Sequence, residues 1–149
     1  MGQAQATPRR VILAELVTHA ISILYKLRPL PGQNYPEWFS HLLQAIHSPE
    51  FLGCTAEDVY ALSGYSPPAI IRHFKKYTGK TIAAYLAGVK VAYACTLFAT
   101  TGAGTLEVAG RLGYDSLSHF NRLFKQHTGK TPSEYRKAAQ KRKPLQHAE

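Results

Sequence analysis

At 149 residues, 45% hydrophobic and 18% charged, the chain can bury one or two modest cores and is too apolar to be a disordered polyelectrolyte. Its net charge of +9 is one-sided: residues 1–53 hold four Lys/Arg and three Asp/Glu, whereas residues 54–149 hold fourteen and six. That field favours a polyanion, nucleic acid first and an anionic membrane or acidic protein second; two cysteines, Cys54 and Cys95, in no metal-ligand spacing argue against a disulfide scaffold and suit reduced, buried thiols.

Strand signals are nearly absent and helix starts and stops are frequent, so an all-α fold is predicted. Residues 8–27 place Ile12, Leu13, Leu16, Val17, Ala20 and Leu24 on one stripe of an amphipathic helix. Its longest apolar stretch, Val11 to Tyr25, is broken by Glu15 and His19, and neither a membrane span nor a signal peptide is predicted. Ala6 stands where a myristoylation signal needs a hydroxyl residue. A cytoplasmic protein is the default.

Residues 28–36 carry three prolines and a glycine and read as a linker. A short helix is expected from about Glu37 to His47, carrying Trp38, Phe39, Leu42, Leu43 and Ile46, and Ser48-Pro49-Glu50 looks like another helix start. Thr55, with Asp58 in the reciprocal position, caps a helix to about Ser63, and Gly64 makes a turn. Ser66 is expected to cap the next helix, whose first turn accepts Pro67 and Pro68; Gly79 ends it. Thr81 starts a long helix to about Ala99. After Gly104, Thr105 to Leu112, a Gly113 turn, Ser116 to Thr128 and a capping box at Thr131-Glu134 repeat the scheme, ahead of a basic tail.

The second half of the chain restates part of the first. Arg72 to Tyr85 and Arg122 to Tyr135 are identical at eight of fourteen positions, including Phe74/Phe124, Lys75/Lys125, Thr78/Thr128, Gly79/Gly129, Lys80/Lys130 and Thr81/Thr131. One supersecondary unit is therefore used twice. Each unit is helix, glycine-bearing turn, helix, and Val108-Ala109 with Gly113 allows the close approach and sharp turn of a helix-turn-helix. Tyr60 replaces Ala109 in the first copy. The first turn is also one residue shorter: Gly64 precedes Arg72 by eight, Gly113 precedes Arg122 by nine.

From about Thr55 to Arg136 the chain resembles the DNA-binding domain of the AraC/XylS family of transcription regulators. The second copy carries the resemblance best, through Val108, Ala109, Leu112, Gly113, Tyr114, Phe120, Arg122, Phe124, Lys125, Gly129, Thr131, Pro132, Tyr135 and Arg136. It implies two helix-turn-helix modules, about 55–80 and 105–130, joined by a long linker helix within a DNA-binding domain over 36–140. One or two extra helices would precede them, and a flexible tail would span 141–149. Residues 1–35 would be an N-terminal helix and linker, and residues 1–53 are too short for the effector domain that usually precedes this part. The chain thus looks like the C-terminal piece of a longer regulator, with helix 8–27 left from a dimerisation segment. Double-stranded DNA, RNA polymerase and a second copy bound through that helix are the implied partners. No cofactor or catalytic activity is implied, action as an activator is expected, and a carbohydrate operon is the favoured target class.

Helices 66–78 and 116–128 are the expected readers of the major groove, where each base pair shows a distinct donor and acceptor pattern. Ile70, Phe74 and Tyr77, and Phe120, Leu123 and Phe124, are expected to face inward. The resemblance matches Leu117, Ser118, His119, Asn121 and Arg122 to the family's reading positions. Pro68, Ile71 and Arg72 correspond to them in the first copy. Arg122 can bridge guanine O6 and N7, Asn121 can pair with adenine, and Pro68 and Ile71 suit thymine methyls. Lys75, Lys76, Lys80, Lys90, Lys125, Lys130 and Arg136 are expected on phosphates, with free amides at Thr81 and Thr131. A linker helix of about eighteen residues spans roughly 27 Å, near one DNA turn.

Competing readings are weaker. Gly79-Lys80-Thr81 and Gly129-Lys130-Thr131 imitate a phosphate-binding loop, but Phe74 and Phe124 occupy the place of its first glycine. His73, His119 and His127 have no ligand spacing within a helix. Turn and cap roles account for Asp115 and Ser116 beside His119, leaving no nucleophile set. A protein-interaction module of helical repeats is the alternative, and it leaves the basic half unexplained.

Overall fold

The computed structural model describes residues 34–141; the expected helix over 8–27 and the tail beyond Lys141 lie outside the described residues. Among the described residues seven α-helices follow one another: α1 (Glu37–Ile46), α2 (Ala56–Ser63), α3 (Pro67–Thr78), α4 (Ile82–Thr100), α5 (Thr105–Arg111), α6 (Leu117–Thr128) and α7 (Pro132–Lys141). Pro49–Phe51 forms a 3-10 turn rather than the α-helical start expected there, and Ser48 makes no side-chain cap bond.

The duplicated sequence folds twice into the same local structure. Thr78 Oγ1 donates to the Phe74 carbonyl at 2.8 Å and accepts from the Lys80 N–H at 3.2 Å; Thr128 repeats both bonds, to Phe124 and from Lys130, at the same distances. Gly79 (φ 71°) and Gly129 (φ 77°) take the left-handed conformation that lets the chain leave each helix. Thr81 and Thr131 then cap the following helices, accepting from the Ala84 and Glu134 amides at 3.2 and 3.3 Å. The next helix in each case sends a tyrosine back onto the helix just ended. Phe74 meets Tyr85 at 5.2 Å and 80°, and Phe124 meets Tyr135 at 5.5 Å and 82°, both edge-to-face.

The linker helix α4 is buried around its whole circumference, with Tyr85, Leu86, Val89, Val91, Ala92, Ala94, Cys95 and Phe98 all inside. Against the expectation of no spanning segment, α4 is long and apolar enough to cross a membrane. Here α2, α3, α5, α6 and α7 cover it, the other setting in which a helix apolar on every side is stable. Small buried residues at 87, 88, 92 and 94 let those neighbours approach. Burial pushes the Cys95 thiol up to about 11, partly offset by a hydrogen bond with Tyr135, so this thiol is inert.

α1 is tied to the same core. His47 Nε2 lies 2.8 Å from the Tyr85 hydroxyl, and the Tyr93 hydroxyl donates to the His47 carbonyl at 3.1 Å. The loop after the 3-10 turn crosses to the second module. A Cβ on Gly113 would sit 2.8 Å from the Gly53 carbonyl oxygen, and Gly113 also has φ 74°. Two independent demands thus select glycine there. Gly113→Ala should cost about 1–3 kcal/mol in urea unfolding, because left-handed strain and a backbone collision add. Gly110→Ala, in the exposed last turn of α5 with open space around it, should instead stabilise by about 0.5–1 kcal/mol. Equal effects would remove the packing argument.

Burial holds the His47 ring below the usual histidine range. The unfolded chain therefore takes up this proton first, near pH 6.5. Stability from neutral His47 is present above that pH and drains away as pH falls toward the lowered folded value. Melting temperature should drop between pH 7.5 and 5.5, and His47→Gln should shrink that drop. An undiminished drop would show that another group titrates.

Candidate nucleic-acid interface

The two reader helices start differently. Pro67 and Pro68 occupy the first turn of α3 and offer no N–H. The Ala69 and Ile70 amides go to the Ser66 carbonyl at 3.0 Å each, so the expected side-chain cap from Ser66 does not form. On α6 the Ser116 hydroxyl does cap, accepting from the His119 N–H at 3.3 Å. Both helices bury their phenylalanines, and α3 also buries one of its two isoleucines: Ile70, Phe74, Phe120 and Phe124 are fully enclosed, while Tyr77 and Leu123 are half-buried.

The opposite faces are open. Pro68, Ile71 and Arg72 on α3 are exposed, as are Leu117, Ser118, His119 and Arg122 on α6. Ile71 (47% exposed) and Leu117 (38%) are apolar side chains that the core leaves outside. Arg111 is paired with Glu107 at 2.7 Å. Arg72 and Arg122 make no ion pair with any described residue, so their guanidinium donors remain available. His119 sets its ring edge-on to Tyr114 at 5.8 Å, which orients it.

Asn121 departs from the expected set. It is half-buried, and its Oδ1 is sealed from solvent without a hydrogen-bond partner. Bidentate pairing with adenine needs both amide atoms at the groove, and one of them is turned inward.

The cations also divide. Lys75, Lys76, Lys125 and Lys130 are exposed, with the Lys76 ammonium 5.5 Å from the Tyr77 ring centroid. Lys80 and Arg136 are half-buried. Burial first, then the charge of Lys80, hold the His127 ring below its usual range. Lys90 is drawn into the fold: its ammonium lies 5.2 Å from the Tyr114 ring centroid. Desolvation lowers its pKa, opposed by Cys54 and Asp58 nearby. A lysine on a buried helix reaches the surface along its stem, and here an aromatic face stops it.

The helix starts behave unequally too. The Thr131 amide, expected to be free, donates to Glu134 Oε2 at 2.7 Å. Hydrogen bonds from Thr131 hold the Glu134 carboxyl low, so an anion already occupies the start of α7. At the start of α4, Ala84 stands in place of Glu134 and supplies no such charge. Residues outside the expected set also touch the readers: Tyr35 and Trp38 pack on α3. The clustering of Tyr35, Trp38 and Phe39 in five residues was the signal for them.

A helix-turn-helix domain family profile matches residues 60–138, more than half of the chain. The chain belongs to the AraC/XylS family. Among curated relatives, transcriptional regulator Rob of Salmonella typhimurium is 31% identical over 84 residues, 56% of this chain and 29% of Rob. Regulatory protein SoxS of the same organism is 34% identical over 74 residues, half of this chain and 69% of SoxS. A crystal structure of the DNA-binding domain of AdpA, a global transcriptional factor, in complex with a target DNA superposes with TM-score 0.60 at 28% identity. It covers 73% of this chain and 95% of that domain. The chain thus spans less than a third of Rob and most of SoxS. In duplex titrations, Lys90→Met should leave the dependence of log affinity on log salt unchanged. Lys125→Ala should reduce that slope by about 0.9. A reduced slope for Lys90→Met would return Lys90 to the phosphate-contacting set.

Proposed function

We propose that this AraC/XylS-family chain is a sequence-specific, non-enzymatic transcription regulator. It inserts α3 and α6 into two successive stretches of the major groove of double-stranded DNA. The observation that carries the reading is the matched pair Arg72 and Arg122: same register on two equivalent helices, both exposed, neither in an ion pair with a described residue. The DNA-bound AdpA domain supports the choice of polyanion.

In this reading Arg122 holds guanine by two hydrogen bonds, with Leu117, Ser118 and His119 completing base contact from α6. Pro68 and Ile71 bring apolar contact to thymine methyls and Arg72 supplies the polar contact from α3. Lys75, Lys76, Lys80, Lys125, Lys130 and Arg136 fix the register on phosphates. Asn121 and Thr131 take structural roles. The working unit spans 36–140. Contact with RNA polymerase, pairing through residues 8–27 and action in the cytoplasm are drawn from the family and extend this reading.

Selection of bound fragments from random duplex DNA tests it. An asymmetric consensus of two short elements about one turn apart is expected. Arg122→Ala should then cost about 1–3 kcal/mol and relax preference at one base pair. Lys130→Ala should weaken all duplexes alike. Failure to enrich any sequence, or an Arg122→Ala protein with an unchanged consensus, would defeat the assignment.

A further inference from the structure

We infer that Tyr35 and Trp38 are positioning residues for base reading by α3: an aromatic clamp, reaching from the start of α1, that sets how the first reader helix meets the groove and that α6 lacks. The inference rests on the DNA-reading function proposed above.

The clamp grips α3 along one flank. The Trp38 ring centroid lies 4.6 Å from Tyr65, 5.5 Å from His73 and 6.4 Å from Tyr77. His73 and Tyr77, one turn apart, stack at 5.9 Å with planes 13° apart, and Tyr65 closes the set at 5.5 Å from His73. Tyr35 adds a directional bond. Its hydroxyl donates to the Tyr77 carbonyl at 3.1 Å, and the rings meet edge-on at 5.6 Å. That carbonyl belongs to the last turn of α3, where acceptors have no partner within the helix. The turn, the middle and the end of α3 are thus all held from one side.

This flank lies behind the reading face. At about 100° per residue, His73 and Tyr77 stand roughly 100° to 180° around the helix from Pro68, Ile71 and Arg72, so the clamp holds α3 from the back and leaves its readers open. Pro68 and Ile71 are short and stiff. They reach a thymine methyl only if the backbone of α3 is correctly placed, whereas a long arginine can follow a displaced helix. α3 therefore needs external positioning more than α6 does. At the matching register α6 carries Leu123, which has no ring to stack, and His127, which pairs with no aromatic ring among the described residues. Nor is the start of α1 held by its own cap, since Pro36 offers no side-chain bond. Both clamp residues precede the 60–138 region by which the family is matched.

The test is a pair of double-mutant cycles on the selected duplex, using the full chain and measuring affinity and circular dichroism together. Trp38→Ala should weaken wild-type binding about ten-fold and the Arg122→Ala protein equally, yet weaken Arg72→Ala less than about two-fold, because coupled residues are non-additive and distant ones add. Trp38→Phe should restore most of the loss. Tyr35→Phe, which deletes one hydroxyl and leaves the rings, keeps the test decisive should Trp38→Ala unfold. It should lose about two- to five-fold on the selected duplex, and nothing further once the α3 half of the site is scrambled. Equal losses in the Arg72→Ala and Arg122→Ala backgrounds, or on duplexes scrambled in either half, would overturn the clamp alone. A wild-type chain that enriches no sequence would overturn the DNA reading and the clamp with it.

Discussion

The edge-to-face contact between the last phenylalanine of each reader helix and the first tyrosine of the next helix is the constraint from which this architecture follows. Phe74 with Tyr85 and Phe124 with Tyr135 join two helices across only three residues of turn. A turn that short has few routes back onto the helix it leaves. Thr78 and Thr128 select one of them by bonding both the outgoing carbonyl and the returning amide. Burial of each phenylalanine is worth roughly 1.5–3 kcal/mol, and the ring pair adds direction to it. A reader helix fixed this way presents its remaining face outward by geometry alone.

Sharing α4 between the modules has a further consequence. A spacer that merely separated two readers could be polar on most sides. α4 is apolar on every side because both modules pack on it, Tyr85 serving the first and Phe98 meeting Phe124 of the second at 5.6 Å. Gly113 against Gly53 closes the arrangement by joining the chain ahead of α2 to the turn of the second module. The two readers therefore belong to one cooperative core, and a relative shift between them must repack α4 rather than bend a hinge.

Local chemistry explains which parts were readable from sequence. Caps at Thr55, Thr81 and Thr131 and left-handed glycines at 79 and 129 depend on a few adjacent residues, so their positions could be read directly. Ser66 misled because the Ala69 amide, which its hydroxyl would serve, goes to the Ser66 carbonyl instead. Lys90 misled for a different reason: helical spacing does not reveal that Tyr114, far along the chain, waits above it. Asn121 was hidden for the same reason, since its surroundings come from other helices; Tyr35 and Trp38 showed as an aromatic cluster, but the helix they meet did not. The Thr131 amide was a conflict inside the sequence itself. A capping box there already spends the donor that a phosphate would need.

The two copies have diverged in a consistent direction. α6 sets three polar readers, Ser118, His119 and Arg122, beside the apolar Leu117 on a helix capped by Ser116, and Tyr114 steadies only its first turn. α3 starts with two prolines, exposes Ile71 and carries one long polar reader, Arg72. Hydrogen-bonding side chains can adjust to small errors in helix position, because their reach is set by several rotatable bonds. Apolar contacts cannot, since van der Waals attraction falls steeply within an ångström. A helix that reads by shape therefore has to be held more firmly than one that reads by hydrogen bonds, and the aromatic cluster lies against the helix of the first kind.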